Sequence, residues 1–258
     1  MSAQNAAAAS AATVPSAAAE KVIVALDCSK QQALTLAQQL AGKAVWLKVG
    51  MTLYYAEGPA MVAMLKEQGY KVFVDLKLHD IPHQVRGAAA SVVRAGADML
   101  TVHAVGGPEM MRAAYEGARE AFAQPPALAA EAYPKLLGIT VLTSLNANTL
   151  QQLGVVRPLE EQVASLASMA RICGLDGVVA SPQEASRLRA LLGPQADIVT
   201  PGVRPAGASL DDQSRTATPA SAIKDGASQL VIGRPITHAP NPLAAFQAIC
   251  KEIEGSLS

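Results

Sequence analysis

Residues 72–82, V-F-V-D-L-K-L-H-D-I-P, place three charged side chains at the end of an apolar run. The run is typical of a buried strand, so Asp75 and Lys77, two residues apart, are expected on one face. Asp80 follows where H-D-I-P turns the chain out of the sheet. A structural ion pair with a loop-capping aspartate would explain this pattern. A functional site is the alternative, because buried charges must be paired and often mark chemistry.

The chemistry favoured by this array is proton donation by a lysine. Lys48, at the end of another apolar run, adds a further cation, and each charge favours the ionised form of its neighbours. We expect Lys77 to be a firmly held ammonium that donates a proton or hydrogen bond and forms a Schiff base poorly. The sequence contains no Ser-His-Asp order, H-E-x-x-H motif or cysteine cluster that would offer competing chemistry.

A second group of polar residues predicts a phosphate site near the end of the chain. Residues 201–205 read P-G-V-R-P and residues 231–237 read V-I-G-R-P-I-T. The backbone amides of Gly233 and Arg234, with the guanidinium beside them, would bind an anion. Gln213 lies in the intervening loop, which could close over a phosphate. Alternatively, both arginines cap helix ends or contact solvent.

The elements that position these residues form a regular repeat. Eight apolar runs, read as buried strands, leave the sheet near residues 27, 50, 77, 104, 143, 181, 202 and 233. Their mean spacing of about 29 residues is that of a βαβ unit, with a helix expected after each strand. The prediction is an α/β fold, a (β/α)8 TIM barrel in a single domain. An open doubly wound sheet would normally carry a glycine-rich turn after the first strand, where this chain has D-C-S.

The polar residues of both groups stand at strand exits, which face one rim in a barrel. This convergence argues against scattered structural ion pairs. His103 also stands at a strand exit and could face the rim, but we expect it to have a hydrogen-bonded structural role. The residues at the exits are Asp27, Lys48, Asp75, Lys77, Asp80, His103, Thr143, Arg204 and Arg234.

Composition restricts the partners of the protein. The 258 residues are 50% hydrophobic and carry 21 basic and 21 acidic side chains, so neither nucleic acid nor an anionic membrane is an expected partner. No apolar run is long enough to span a bilayer. The three cysteines have no metal-type spacing and are interpreted as reduced thiols in a cytoplasmic protein. Residues 1–20 are Ala-rich, resemble no signal peptide and are interpreted as a disordered extension; the barrel domain is assigned to residues 21–258.

These motifs together carry a resemblance to a known family. D-L-K-L-H-D-I-P closely resembles the D-x-K-x-x-D-I-P signature of the orotidine 5′-phosphate decarboxylases. V-A-L-D, W-L-K-V-G, V-L-T-S, T-P-G-V-R-P and V-I-G-R-P-I-T occur in the order and spacing of that family, over nearly the whole chain after the Ala-rich start. The resemblance implies conversion of orotidine 5′-monophosphate to uridine 5′-monophosphate and CO2, in pyrimidine biosynthesis, with no cofactor and no metal.

The resemblance also implies a role for each matching residue. Lys77 would protonate C6, beside Asp75 at the departing carboxylate, while Asp27 and Lys48 would hold the ribose hydroxyls. Asp80 would serve the neighbouring subunit, so that the protein would be an obligate homodimer with shared active sites. The remaining substrate contacts implied by the resemblance are Ile81, Thr143, Arg204, Gln213, Gly233 and Arg234. One departure is Gln84, which replaces the threonine of the usual D-I-P-N-T and puts one substrate contact in doubt.

Two rival functions share parts of the pattern. Metal-dependent sugar-phosphate lyases and decarboxylases have a similar D-x-K-x-x-D core but place an acidic ligand at the second strand exit. Here that position is Lys48, which would repel Mg²⁺. A non-catalytic nucleotide-binding barrel would not need every charged position that is present.

Overall fold

The computed structural model describes residues 15–124, 132–205 and 217–257. Within these residues eight parallel strands pair in chain order, and β8 pairs with β1 to close a barrel. The predicted (β/α)8 TIM barrel is therefore confirmed. The strands are β1 (Val22–Ala25), β2 (Trp46–Gly50), β3 (Lys71–Leu78), β4 (Met99–His103), β5 (Lys135–Ile139), β6 (Gly177–Val179), β7 (Asp197–Thr200) and β8 (Gln229–Ile232).

Helices connect the strands and cover the outside of the barrel. They are α1 (Lys30–Leu40), α2 (Met51–Glu57), α3 (Pro59–Glu67), α4 (Pro82–Arg94), α5 (Gly107–Ala123), α6 (Ala147–Gln152), α7 (Leu159–Ile172), α8 (Ala185–Leu192), α9 (Pro219–Lys224), α10 (Arg234–Thr237) and α11 (Pro242–Leu257). Short 3-10 helices span Ala19–Lys21, Ala104–Gly106 and Pro182–Glu184. None of these helices combines the length and apolar character needed to cross a bilayer.

The strands are apolar on both faces because side chains fill the barrel on one side and meet the helices on the other. All residues of β1 and β2 are buried, including the Lys48 side chain among them. Amphipathic helices close the outer layer; α1, for example, buries Leu36 and Leu40. A lysine inside this apolar layer needs acidic partners, which the neighbouring strands supply.

Three matching clamps lie at the amino-terminal ends of the strands. Asp98, Asp176 and Ser228 directly precede β4, β6 and β8. Their side chains accept hydrogen bonds from the amides of Val72, Leu136 and Ile198 at 2.7, 2.8 and 3.1 Å. Their own amides donate back to the carbonyls of the same three residues at 2.9, 3.0 and 2.8 Å. Strands β3–β4, β5–β6 and β7–β8 are thus fastened in pairs at the end opposite the predicted site.

Some local predictions were correct and others were not. Helices follow the strands as expected, and the Ser29 side chain caps α1 by accepting from the Gln32 amide. One helix was expected after each strand, but β2 is followed by both α2 and α3 and β5 by both α6 and α7. Strand β5 ends at Ile139 instead of near residue 143. The segment after β5 instead forms part of the rim.

The amino-terminal boundary also differs from the prediction for the residues that the structure describes. Ala18 and Ala19 are fully or almost fully buried, and the Glu20 carboxylate accepts from Trp46 Nε1 at 3.1 Å. The Glu20 carbonyl accepts from Gln229 Nε2 at 3.0 Å. The packed domain therefore begins before residue 21, because these residues close the lower end of β1. The predicted disorder of residues 1–14 lies outside the described residues.

Candidate active site

A cavity of about 460 Å³ opens at the carboxyl ends of the strands. Its lining comes from β1, β2, β3, β5, β6 and β8 and from the segments that follow β5, β6 and β7, so residues far apart in sequence meet there. Eight of the predicted site residues line it: Asp27, Lys48, Asp75, Lys77, Thr143, Arg204, Gly233 and Arg234. The predicted convergence at one rim is therefore observed for these residues.

The charged residues form a continuous array across β1, β2 and β3. Lys48 Nζ lies 3.1 Å from Asp27 Oδ1 and 3.6 Å from Asp75 Oδ2. Lys77 Nζ lies 2.8 Å from the same Asp75 Oδ2. Lys48 and Asp75 are buried, whereas the side chain of Lys77 is 30% exposed toward the cavity side of the barrel. Asp75 therefore holds two ammonium groups, of which Lys77 is the more accessible.

Asp75 is kept ionised by its surroundings. Burial acts to raise the pKa of Asp75, but the Lys48 and Lys77 ammonium groups and the hydrogen bonds from Lys77 and Thr101 outweigh it. The net result is a pKa below the ordinary value of 3.8. A carboxylate that stays charged at neutral pH can fix the position of the ammonium beside it.

The backbone of β3 is irregular where it carries the two charges. Between the pairs Val74–Leu100 and Leu78–Val102, β3 advances four residues while β4 advances two. Lys77 has a φ of 52°, in the left-handed region that non-glycine residues rarely adopt. Thr101 stabilises this bend, because its hydroxyl oxygen accepts from the Lys77 amide and its hydroxyl donates to Asp75 Oδ1, both at 2.9 Å. Strand alternation alone therefore does not explain how Lys77 meets Asp75.

The opposite end of the cavity is cationic. Arg204 is buried, and its Nη1 donates to the Val203 carbonyl at 3.0 Å. Its Nε is also buried and has no hydrogen-bond partner among the described residues. Gly233 and Arg234, at the start of α10, line the cavity nearby. The arrangement suits an anionic group, as predicted; Gln213 lies outside the described residues.

Three predicted residues are not brought to this cavity within a single chain. Asp80, Ile81 and Gln84 are exposed and do not line it. The Asp80 carboxylate accepts from the Ile81 amide at 2.6 Å, and Ile81 is 64% exposed. The roles assigned to these residues stay predictions; among them, the resemblance implies a place in the neighbouring subunit's site for Asp80.

Sequence reasoning missed several residues of the site. Gly50 leaves space for the ion pair beside it, because a Cβ there would lie 2.8 Å from Asp27 Oδ1 and 3.0 Å from Lys48 Nζ. Thr101 could have been noticed as a polar residue within an apolar strand. Thr237 and His238 also line the cavity, after the Arg234 motif. His103 was expected to have a hydrogen-bonded structural role, but its buried Nδ1 has no hydrogen-bond partner within the described residues.

The acidic side chains of the site are paired with lysines and do not form a metal-binding group among the described residues. No group of three or more His, Cys, Asp or Glu side chains suited to a metal occurs within residues 15–124, 132–205 and 217–257. At the second strand exit, the Lys48 ammonium contacts both carboxylates that could otherwise face a cation. The array is therefore neutralised by lysines.

Comparisons with known proteins agree with this geometry. A model of the "Orotidine 5′-phosphate decarboxylase / HUMPS family" matches residues 20–249. The chain is 52% identical to an orotidine 5′-phosphate decarboxylase from Moorella thermoacetica, over 92% of this chain and 93% of that protein. It is 46% identical to one from Parasynechococcus marenigrum, over 93% and 96%. A crystal structure of orotidine 5′-phosphate decarboxylase from Lactobacillus acidophilus superposes with a TM-score of 0.79 at 40% identity, covering 91% of this chain and 99% of that one. The chain therefore belongs to the orotidine 5′-phosphate decarboxylase / HUMPS family.

Proposed function

We propose that this protein decarboxylates orotidine 5′-monophosphate to uridine 5′-monophosphate, with Lys77 delivering the proton to C6 as CO2 leaves. Its family and its relatives make the chain a carboxy-lyase of pyrimidine biosynthesis. The proposed role of Lys77 as proton donor is supported by the position of its Nζ, 2.8 Å from the Asp75 carboxylate and at the wall of the cavity.

The electrostatics of the array suit this chemistry. Loss of CO2 leaves a carbanion at C6 whose electron pair lies in the ring plane and gains little from π delocalisation. Stabilisation must then be electrostatic, and a fixed ammonium supplies it without reorganising at the transition state. Asp75 orients the Lys77 ammonium, and Lys48 places a second ammonium 3.6 Å from the same Asp75 oxygen. The reaction proposed here uses no cofactor and no metal.

The other residues that line the cavity are placed to contact different parts of the substrate. The exposed Asp27 and the buried Lys48 are placed to hold the ribose hydroxyls, and Thr143 to contact the pyrimidine. The cationic end with Arg204, Gly233 and Arg234 would take the phosphate. Binding energy from that distant group can position the base against Lys77.

We infer further that the active site is completed by a second copy of the chain. Asp80, Ile81 and Gln84 follow the catalytic strand but are exposed in the single chain. Ile81 is 64% exposed, and other exposed apolar side chains follow β2 and β4: Tyr55 on α2 at 70% and Val105 at 51%. A two-fold dimer would cover such a surface and carry Asp80 to the partner's cavity. The three free cysteines support a reducing compartment such as the cytoplasm.

The reaction is tested by following the absorbance of orotidine 5′-monophosphate in the presence of EDTA. We expect turnover by the wild type, and its absence at any enzyme concentration would refute the proposed reaction. Turnover in EDTA would also exclude the metal-dependent lyases. Lys77→Ala is expected to abolish turnover but to bind uridine 5′-monophosphate, because the phosphate and ribose contacts lie on other strands. Lys30→Ala, at a partly exposed pair with Glu57, is the matched control and should retain wild-type turnover.

The shared site is tested by mixing two inactive variants. Lys77→Ala and Asp80→Ala homodimers should each be nearly inactive, whereas each heterodimer would contain one site with both substitutions and one with neither. Random exchange makes half the dimers mixed, so about a quarter of all sites should become wild type. A mixture shown to contain heterodimers, yet no more active than its parents, would place Asp80 in its own subunit's site.

A further inference from the structure

We propose that His103 is a positioning residue that holds the turn carrying Asp80, and that it does so only as a neutral imidazole. The proposal rests on the proposed role of Asp80 in catalysis. It assigns a purpose to a histidine pair beside the site that the reaction itself does not use.

The pair consists of His103, the last residue of β4, and His79, which directly precedes Asp80. The ring centroids are 5.3 Å apart and the ring planes are inclined by 44°. His79 is exposed, but one edge of its ring approaches Gly106, where an added Cβ would lie 3.1 Å from His79 Cδ2. The hydrogen bond to the Asp80 carboxylate, from the Ile81 amide, is local and does not tie the turn to the barrel. Leu78 pairs with Val102 of β4 just before the turn, and the ring contact extends this attachment to His79.

The surroundings of His103 favour its neutral form on geometric grounds. The Nδ1 atom is buried and has no hydrogen-bond partner among the described residues. A neutral ring can leave Nδ1 as an unused acceptor, but an imidazolium would carry an N–H there without an acceptor. An unsatisfied buried donor costs more than an unused lone pair. Burial accordingly lowers the pKa of His103, and His79 and Lys77 lower it further, against an opposing effect of Asp75.

The charged groups acting on His103 come from β3 and the turn after it. They are Asp75, Lys77 and His79. On β5, Ile139 pairs with His103, and the 3-10 helix Ala104–Gly106 carries no titratable side chain. Glu109, in the first turn of α5, is exposed. A proton added to His103 would therefore face the Lys77 ammonium and the second imidazole, and the ring would move away from both.

The consequence is an acid limit on turnover that originates outside the catalytic array. Once His103 is charged, its contact with His79 is lost and the Asp80 turn is released. Binding of the phosphate, at the other end of the cavity, should not change through this route. The structure thus predicts that acid lowers kcat through His103, separately from the effect of substrate phosphate protonation on KM.

The kinetic test compares pH profiles of kcat at saturating substrate between pH 5 and pH 8. His103→Phe keeps a ring against His79 and cannot be charged; since Nδ1 has no partner, the change removes no described hydrogen bond at that atom. We expect the acid limb to move to lower pH by about one unit or more. His79→Phe keeps the ring contact but removes a group that lowers the pKa of His103, so its limb should move the opposite way. His103→Asn removes the ring, and kcat should fall about tenfold or more at every pH with little change in KM.

The matched control is His83→Gln, an exposed histidine in the first turn of α4, which should keep the wild-type profile. An acid limb in His103→Phe that coincides with the wild-type limb would overturn the proposal. So would shifts of the same sign in His103→Phe and His79→Phe.

A second measurement does not depend on turnover. The chain has four histidines, so their ring signals can be assigned by substitution in NMR spectra of the full-length protein. We expect the amide signals of Asp80 and Ile81 to shift with the midpoint of the His103 ring titration, and this shift to vanish in His103→Phe. Independent midpoints would refute the positioning role even if the enzyme is active. A shared midpoint in a protein without decarboxylase activity would instead locate the failure in the proposed function.

Discussion

Replacing Asp75 by asparagine tests whether the charge array stabilises the folded protein. Asp75 contacts the ammonium groups of Lys77 at 2.8 Å and Lys48 at 3.6 Å. Removing one partner of a buried ion pair costs about 3–5 kcal/mol, since the remaining charge stays buried. The lower end applies here because Lys77 is 30% exposed and can turn toward water. At roughly 2–4 °C per kcal/mol for a domain of this size, about 3 kcal/mol lowers Tm by about 6–12 °C.

The assay is thermal unfolding of the ligand-free protein, compared with Glu57→Gln as control. Glu57 pairs with Lys30 at 3.1 Å, but both side chains are partly exposed, so its loss should cost less than about 1 kcal/mol. The pKa of Asp75 is lowered in the folded state. The stability that ionised Asp75 contributes should therefore be complete above pH 3.8, the ordinary pKa of the carboxyl group. This stability should disappear as the pH falls through the lower pKa that Asp75 has in the folded state. An Asp75→Asn variant as stable as the wild type at pH 7 would show that the array is held under electrostatic strain and does not stabilise the fold.

Three further substitutions test other parts of the site. Gly50→Ala should raise KM about tenfold without unfolding the protein, because the added Cβ displaces the Asp27–Lys48 ion pair. Gly87→Ala, with open space at its Cβ, is the control and should leave KM unchanged. Thr101→Val should lower kcat more than it raises KM, because both hydrogen bonds at the β3 bend are lost; Thr35→Val, on the exposed face of α1, is the control. Arg234→Ala should lower kcat/KM at least about a hundredfold for the nucleotide and much less for orotidine, which lacks the phosphate. Equal losses with both substrates would remove Arg234 from the phosphate site.

Much of the barrel could be predicted because its strands are short apolar runs ended by charged residues or glycine. Asp27 and Arg234, for example, follow β1 and β8 within two residues of the strand ends. The helix α2 was missed because it lies between Gly50 and Gly58 without a side-chain cap. Its neighbour α3 begins with proline, which is a recognisable signal.

The site could be predicted in its members but not in its geometry. Charged types and spacing indicated Asp75 and Lys77, but the bend at Lys77 depends on a hydroxyl of Thr101, 24 residues away. No local pattern encodes such a contact. The need for a residue without a Cβ at position 50 likewise arises from the side chains of Asp27 and Lys48, which come from different parts of the chain. Asp80, Ile81 and Gln84 lie outside the cavity of the single chain, and the role predicted for Asp80 depends on an assembly that one chain does not display.

The three clamps at the lower end of the barrel have a consequence for how the chain can be divided. Each clamp closes within one strand pair, β3–β4, β5–β6 or β7–β8, whereas Lys135 joins β5 to the preceding pair through a backbone bond to the Asp98 carbonyl at 2.9 Å. A chain cut between residues 124 and 132 would keep every clamp inside one fragment. The two fragments, expressed separately, should each retain their clamped strand pairs and should reassociate into an active barrel. A cut between β5 and β6 would instead separate Leu136 from Asp176 and break the clamp of that pair.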